Sequence, residues 1–96
     1  MFSYRFECEN DWDILTDNPK FYVWVWDYYN NGAWMELEPE GTTGSYYFEI
    51  QIPYNMVGAK IVRMDPDGIV PDWSAEWNSS DDLKLSGLPG TILFNF

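Results

Sequence analysis

Tyr22, Trp24 and Trp26 alternate with Phe21, Val23 and Val25 in one unbroken run, and Trp34 follows a few residues later. In an extended strand, alternate side chains point to opposite faces and repeat about every 7 Å along each face. The run therefore predicts a core stripe of Phe21, Val23 and Val25, and a row of large rings, Tyr22, Trp24 and Trp26, on the other face. Rings on a rigid strand offer broad apolar contact with little side-chain freedom to lose, and Tyr and Trp add a polar tip. Such a row suits a ligand with repeating flat apolar faces and hydroxyl edges, which is the shape of a sugar chain. The plainer alternative packs all three rings inside a two-sheet sandwich.

A second stretch, 71–83, places Trp73 and Trp77 four residues apart among Ser74, Asn78, Ser79, Ser80, Asp81 and Asp82. Sugar recognition needs this mixture: rings for the faces, and amides, hydroxyls and carboxylates for the hydroxyl edges. Structural roles compete here too. Trp73 or Trp77 can plug the end of a sandwich, and Asn78 can cap a turn.

Other chemistries find less support. The chain has no His, so the commonest general base and metal ligand is missing. Cys8 is the sole Cys; it ends an alternating run (Phe2, Tyr4, Phe6, Cys8) and reads as a buried, inert thiol. Carboxylates abound, but a two-carboxylate hydrolase needs a deep cleft that raises one pKa by burial, and a small sandwich offers a face instead. Asp65-Pro66-Asp67-Gly68 followed by Asp72 has the flavour of a calcium loop. It lacks the EF-hand spacing and closing Glu, so a tight turn is expected and no metal or other cofactor. Asp11, Asp13 and Asp17 read as acidic loop residues facing water.

These residues must be held by a single domain. Ninety-six residues suffice for a core without disulfides. An aromatic content of 20% is more than such a core hides with every polar tip satisfied, so some rings are expected at the surface. Sixteen acidic against five basic residues give a net charge of -11, which repels nucleic-acid phosphates and anionic lipids and leaves neutral or cationic partners open. No segment approaches the about 18 apolar residues of a membrane span, and the N-terminus lacks the pattern of a signal peptide. Met1 runs straight into a strand pattern and Phe96 ends inside one, as expected of a module, 1–96, taken from a longer protein.

Strands are expected over 2–8, 21–26, 33–37, 46–52, 59–65, 83–85 and 91–96. They are separated by turn signals at Asn18-Pro19, Asn30-Asn31-Gly32, 38–44, Pro53, Asp65-Pro66-Asp67-Gly68 and Pro89-Gly90. Residues 71–82 read as a loop, and no helical period appears. Seven to eight short strands predict an all-β, immunoglobulin-like antiparallel β-sandwich.

The run FYVWVW with its following Trp, the strand and turn KIVRMDPDG, and WSAEWNSSDDLKL together resemble the starch-binding carbohydrate-binding modules of family 26, with Asn10-Asp11-Trp12 standing for a short element that precedes the strand. The resemblance covers residues 10–85. It implies a non-catalytic platform for starch-type α-1,4-glucan built from Tyr22, Trp24 and Trp34, with Asn78 and Ser79 bonding to hydroxyls. It also implies an extracellular or cell-surface setting within a larger secreted protein, the module itself being monomeric. Two features depart from the family pattern: Trp26 adds a third ring, and Ser79-Ser80 stands where Gln-Thr is usual. Two other functions stay open from the residues alone, a protein-interaction or structural module and an acidic nucleic-acid mimic.

Overall fold

The computed structural model describes residues 1–10 and 14–96, so Asp11, Trp12 and Asp13 lie outside the described residues. Among the described residues, eight strands form a β-sandwich: β1 (Phe2–Cys8), β2 (Lys20–Asp27), β3 (Gly32–Leu37), β4 (Tyr47–Ile52), β5 (Met56–Met64), β6 (Glu76–Ser79), β7 (Leu83–Lys84) and β8 (Gly90–Phe94). One sheet has the order β4-β1-β8. The other has the order β3-β2-β5-β6, with β7 also pairing β5. All pairs are antiparallel except β1 with β8, which run parallel from Tyr4 opposite Gly90 to Cys8 opposite Phe94.

Alternation decides the core. Phe21, Val23 and Val25 of β2 and Ala59 and Ile61 of β5 face Phe6, Phe48 and Ile52 of the other sheet, all of them buried. The Phe21 and Phe48 rings meet across the layers at 5.0 Å. Each fully buried side chain of this size contributes about 1.5–3 kcal/mol through area removed from water. Cys8 is buried in the same core, and Tyr4 sits there with its hydroxyl accepting from the backbone N–H of Gly87 at 3.1 Å. Asn10 ties the two ends of the described chain together: its side chain accepts from the Phe96 N–H and donates to the Phe96 carbonyl, both at 3.0 Å.

Two segments differ from the expectation. The strand expected over 59–65 begins at Met56 and runs through Gly58, which is an interior position of β5 rather than a break. The stretch 71–82, expected as loop, holds a 3-10 turn over Trp73–Ala75 and then β6. Ser80 continues the pairing past β6. Its N–H donates to the Ile61 carbonyl, and its buried hydroxyl accepts from the Ile61 N–H and donates to the Asp81 carbonyl.

Candidate functional site: a tryptophan groove on the five-stranded sheet

The outer face of β2 carries Tyr22, Trp24 and Trp26, as the alternation requires, but the three rings have different surroundings. Trp24 stands opposite Trp34 of β3 and opposite Lys60 of β5. Its indole leans over Gly32, filling the space a Cβ there would occupy. The Trp26 indole does the same over Gly58, its cross-strand partner in β5. Each ring thus lies against bare backbone on a neighbouring strand, one on β3 and the other on β5.

Trp73 reaches this face from the 3-10 turn. Its ring is 5.9 Å from that of Trp24 and 4.6 Å from that of Trp34, while Trp24 and Trp34 are 4.9 Å apart. The planes cross at 54–65°. Aromatic pairs in this range gain about 0.5–1.5 kcal/mol beyond the area they bury, so the three indoles hold one another.

The turn that delivers Trp73 is built locally. The Asp72 carboxylate accepts from the backbone N–H of Ser74 at 2.9 Å and from its hydroxyl, and the Ala75 N–H donates to the Asp72 carbonyl. Those bonds from Ser74, the hydroxyl first and then the backbone N–H, hold the Asp72 carboxyl below the usual carboxylate range. Ala75 is buried and its carbonyl accepts from the Asp65 N–H at 2.8 Å. Asp65 in turn accepts from the Asp67 N–H at 2.9 Å. The segment Asp65-Pro66-Asp67-Gly68 is therefore a turn against which the Trp73 turn packs. Among the described residues, no group of three or more acidic, Cys or His side chains is arranged to hold a metal ion.

Trp24, Trp26 and Trp73 line an open groove of about 390 Å³ whose polar members are Asn30, Lys60 and Asp82. Lys60 Nζ and Asp82 Oδ1 are 3.8 Å apart. Ammonium, carboxylate and amide together supply both donors and acceptors beside the rings. A larger concavity of about 530 Å³ lies on the three-stranded sheet, between Ser3, Arg5, Glu49, Gln51 and Thr91. Arg5 is engaged there by Glu7 at 2.8 Å, by Glu49 at 3.3 Å and by the Tyr47 ring, and among the described residues no tryptophan lines it. We take the aromatic groove as the site.

The remaining candidates fall elsewhere. Tyr22 is only 9% exposed, packed in a small second core with Val62, Met64 and Ala75 that is covered by Trp34 and Val70. It offers no face to a ligand. Burial, then the nearby Glu36 and Glu38, raise its phenol above the ordinary tyrosine range. Trp77 lies under the Arg63 guanidinium at 4.8 Å. Arg63 shares the register of Phe21, on the opposite face from Trp24, and donates to the carbonyls of Ile14 and Thr16. Asn78 is exposed on β6 opposite Arg63, and Ser79 is half-buried opposite Val62. None of Trp77, Asn78 and Ser79 lines the groove.

The structure thus joins Trp24, Trp26, Trp34 and Trp73; Tyr22 packs edge to face against Trp34 at 6.4 Å without lining the groove, and Trp77 lies apart from it. From the sequence, Asp82 falls among the polar residues of 71–83, but no ligand role is assigned to Asn30, Lys60 or the two glycines beneath the rings. Alternation along β5 was the signal for Lys60, which shares a face with Val62 and Met64. Comparison with known proteins finds no matching family model, curated protein or solved structure.

Proposed function

We propose that this domain binds starch-type α-1,4-glucan without cleaving it, as one module of a secreted or cell-surface protein. The observation that carries the reading is the open groove walled by Trp24, Trp26 and Trp73, with Trp34 packed against two of those rings. Stacking indoles hold sugar faces, and Asn30, Lys60 and Asp82 bond to hydroxyl edges. Within the groove the Trp24 and Trp73 planes cross at 65° and present turned rather than coplanar faces, which favours a curved chain over a flat ribbon. The resemblance of the sequence to starch-binding modules of family 26 supports the same ligand, with Trp73 in place of the buried Tyr22.

The carboxylates support binding without hydrolysis. Glycoside cleavage requires two carboxyl groups flanking one bond, and among the described residues Asp82 is the sole carboxylate lining the groove. An open groove gives modest affinity, a dissociation constant of about 10 μM to 1 mM, equivalent to roughly -7 to -4 kcal/mol. Retardation in gels containing amylose, pullulan, xylan or a cellulose derivative tests the reading. Retardation by the α-glucans alone supports it. Migration unchanged in all four, with capture of a protein partner instead, would replace it by an interaction module.

A further inference from the structure

The β2–β3 hairpin carries two aromatic rings outside the groove. Tyr28 and Tyr29 are each 82% exposed, and their rings meet edge to face at 5.6 Å. Their loop is nevertheless firmly built. Asp27 Oδ1 accepts from the backbone N–H groups of Tyr29 at 2.8 Å and of Asn31 at 2.9 Å. The Asp27 N–H donates to the Asn31 carbonyl and the Asn30 N–H to the Asp27 carbonyl. Asn30 takes a positive φ of 66°, a conformation Asn adopts more readily than most residues. Two large rings held in water by an ordered loop leave apolar area uncovered where folding alone has no use for it.

Position gives this pair its meaning. Asn30, the next residue along, lines the tryptophan groove. Adjacent Cα atoms are about 3.8 Å apart, so Tyr29 begins at the groove's rim. A chain leaving the groove past Trp26 and Asn30 meets the tyrosines next. We propose that Tyr28 and Tyr29 form an outer subsite that prolongs the groove, so that the domain selects longer α-glucan chains over those that fill the groove alone. This inference rests on the glucan-binding reading above. Each ring has two faces and a hydroxyl, the same recognition chemistry as the groove, and the Asp27 bonds spare the ligand the cost of ordering the loop.

Isothermal titration calorimetry of the domain and its Tyr28→Ala/Tyr29→Ala double variant, each with maltotriose and with maltoheptaose, tests it. Both side chains are solvent-exposed, so the variant folds as the parent does. A long chain has more binding registers in both proteins, which makes the difference between the proteins the informative quantity. The variant is expected to lose about five- to tenfold in affinity for maltoheptaose and less than about twofold for maltotriose. Equal affinities of parent and variant for maltoheptaose would overturn the subsite. So would equal losses for both sugars, since the loop would then merely shape the groove. A parent domain that binds neither sugar would overturn the glucan reading itself, and the subsite with it.

Discussion

The Trp26 indole occupies the space above Gly58 that any side chain at that position would need. The two residues are cross-strand partners in β2 and β5, so the ring lies over its own pairing partner. Trp24 repeats the arrangement over Gly32 on the other neighbouring strand. Bare backbone under each indole is what lets the groove wall lie close to the sheet, and glycine supplies it at the cost of some strand propensity.

Gly58→Ala should therefore displace Trp26 while preserving the fold. Crowding of this kind costs about 1–3 kcal/mol, readable as a lower unfolding midpoint together with altered near-UV dichroism and weaker glucan binding. Gly90→Ala is the control, because nothing lies within contact of a Cβ there; its stability should stay within about 0.5 kcal/mol of the parent. Unchanged spectra and affinity in Gly58→Ala would mean that Trp26 does not depend on this notch.

Acid should loosen the two turns that flank the groove. Asp27 sits below the usual carboxylate range, chiefly through the Asn31 backbone N–H, with burial opposing and the Tyr29 N–H and Asn31 amide assisting; Asp72 is lowered by Ser74. A carboxyl with a depressed folded pKa contributes stability above its unfolded value near pH 4, and that contribution is lost as pH falls through the folded value. Asp27→Asn and Asp72→Asn keep an acceptor oxygen but remove the charge. Each should flatten the dependence of the unfolding midpoint on pH below about 4. An unaltered acid profile in both would contradict the assignment.

At the alkaline end, Tyr22 should ionise later than an ordinary tyrosine, since its phenol is raised by burial and by Glu36 and Glu38. A raised phenol contributes stability that is complete below about pH 10 and is lost as pH climbs through the folded value. Phenolate absorbance of the seven tyrosines should show a late step that Tyr22→Phe removes. A titration identical in the two proteins would place Tyr22 at the surface.

Much of this was legible from period two alone. Phe21, Val23 and Val25 face inward, and Trp24 and Trp26 face outward, because a strand alternates. Tyr22 shares their parity yet is buried, since a distant segment, the turn with Ala75, covers that end of the face. Trp77 leaves the groove side because the register of β5 and β6 shifts between Arg63 and Met64. Nothing local to residues 71–82 encodes where that segment docks. The notches at Gly32 and Gly58 exist only once strands are paired, and the parallel β1–β8 contact joins residues at opposite ends of the chain.

Glucan binding should be insensitive to ionic strength and to chelators. An α-glucan is neutral, and in the proposed function Lys60 and Asp82 reach it through hydrogen bonds, so affinity should change by less than about twofold between low and physiological salt. A strong chelator should leave both unfolding midpoint and gel retardation unchanged. A clear drop in either would bring a calcium ion to the Asp65-Pro66-Asp67-Gly68 turn or to another acidic loop.

Trp24 touches Trp34 and Trp73, leans over Gly32 and lines the groove, so its removal bears on the central claim most directly. Calorimetric titration of the domain and of Trp24→Ala with maltoheptaose should give a dissociation constant of about 10 μM to 1 mM for the parent. The variant should lose about 1–2 kcal/mol, roughly five- to thirtyfold, with its far-UV spectrum intact. A natively folded Trp24→Ala that binds maltoheptaose as tightly as the parent would contradict the account.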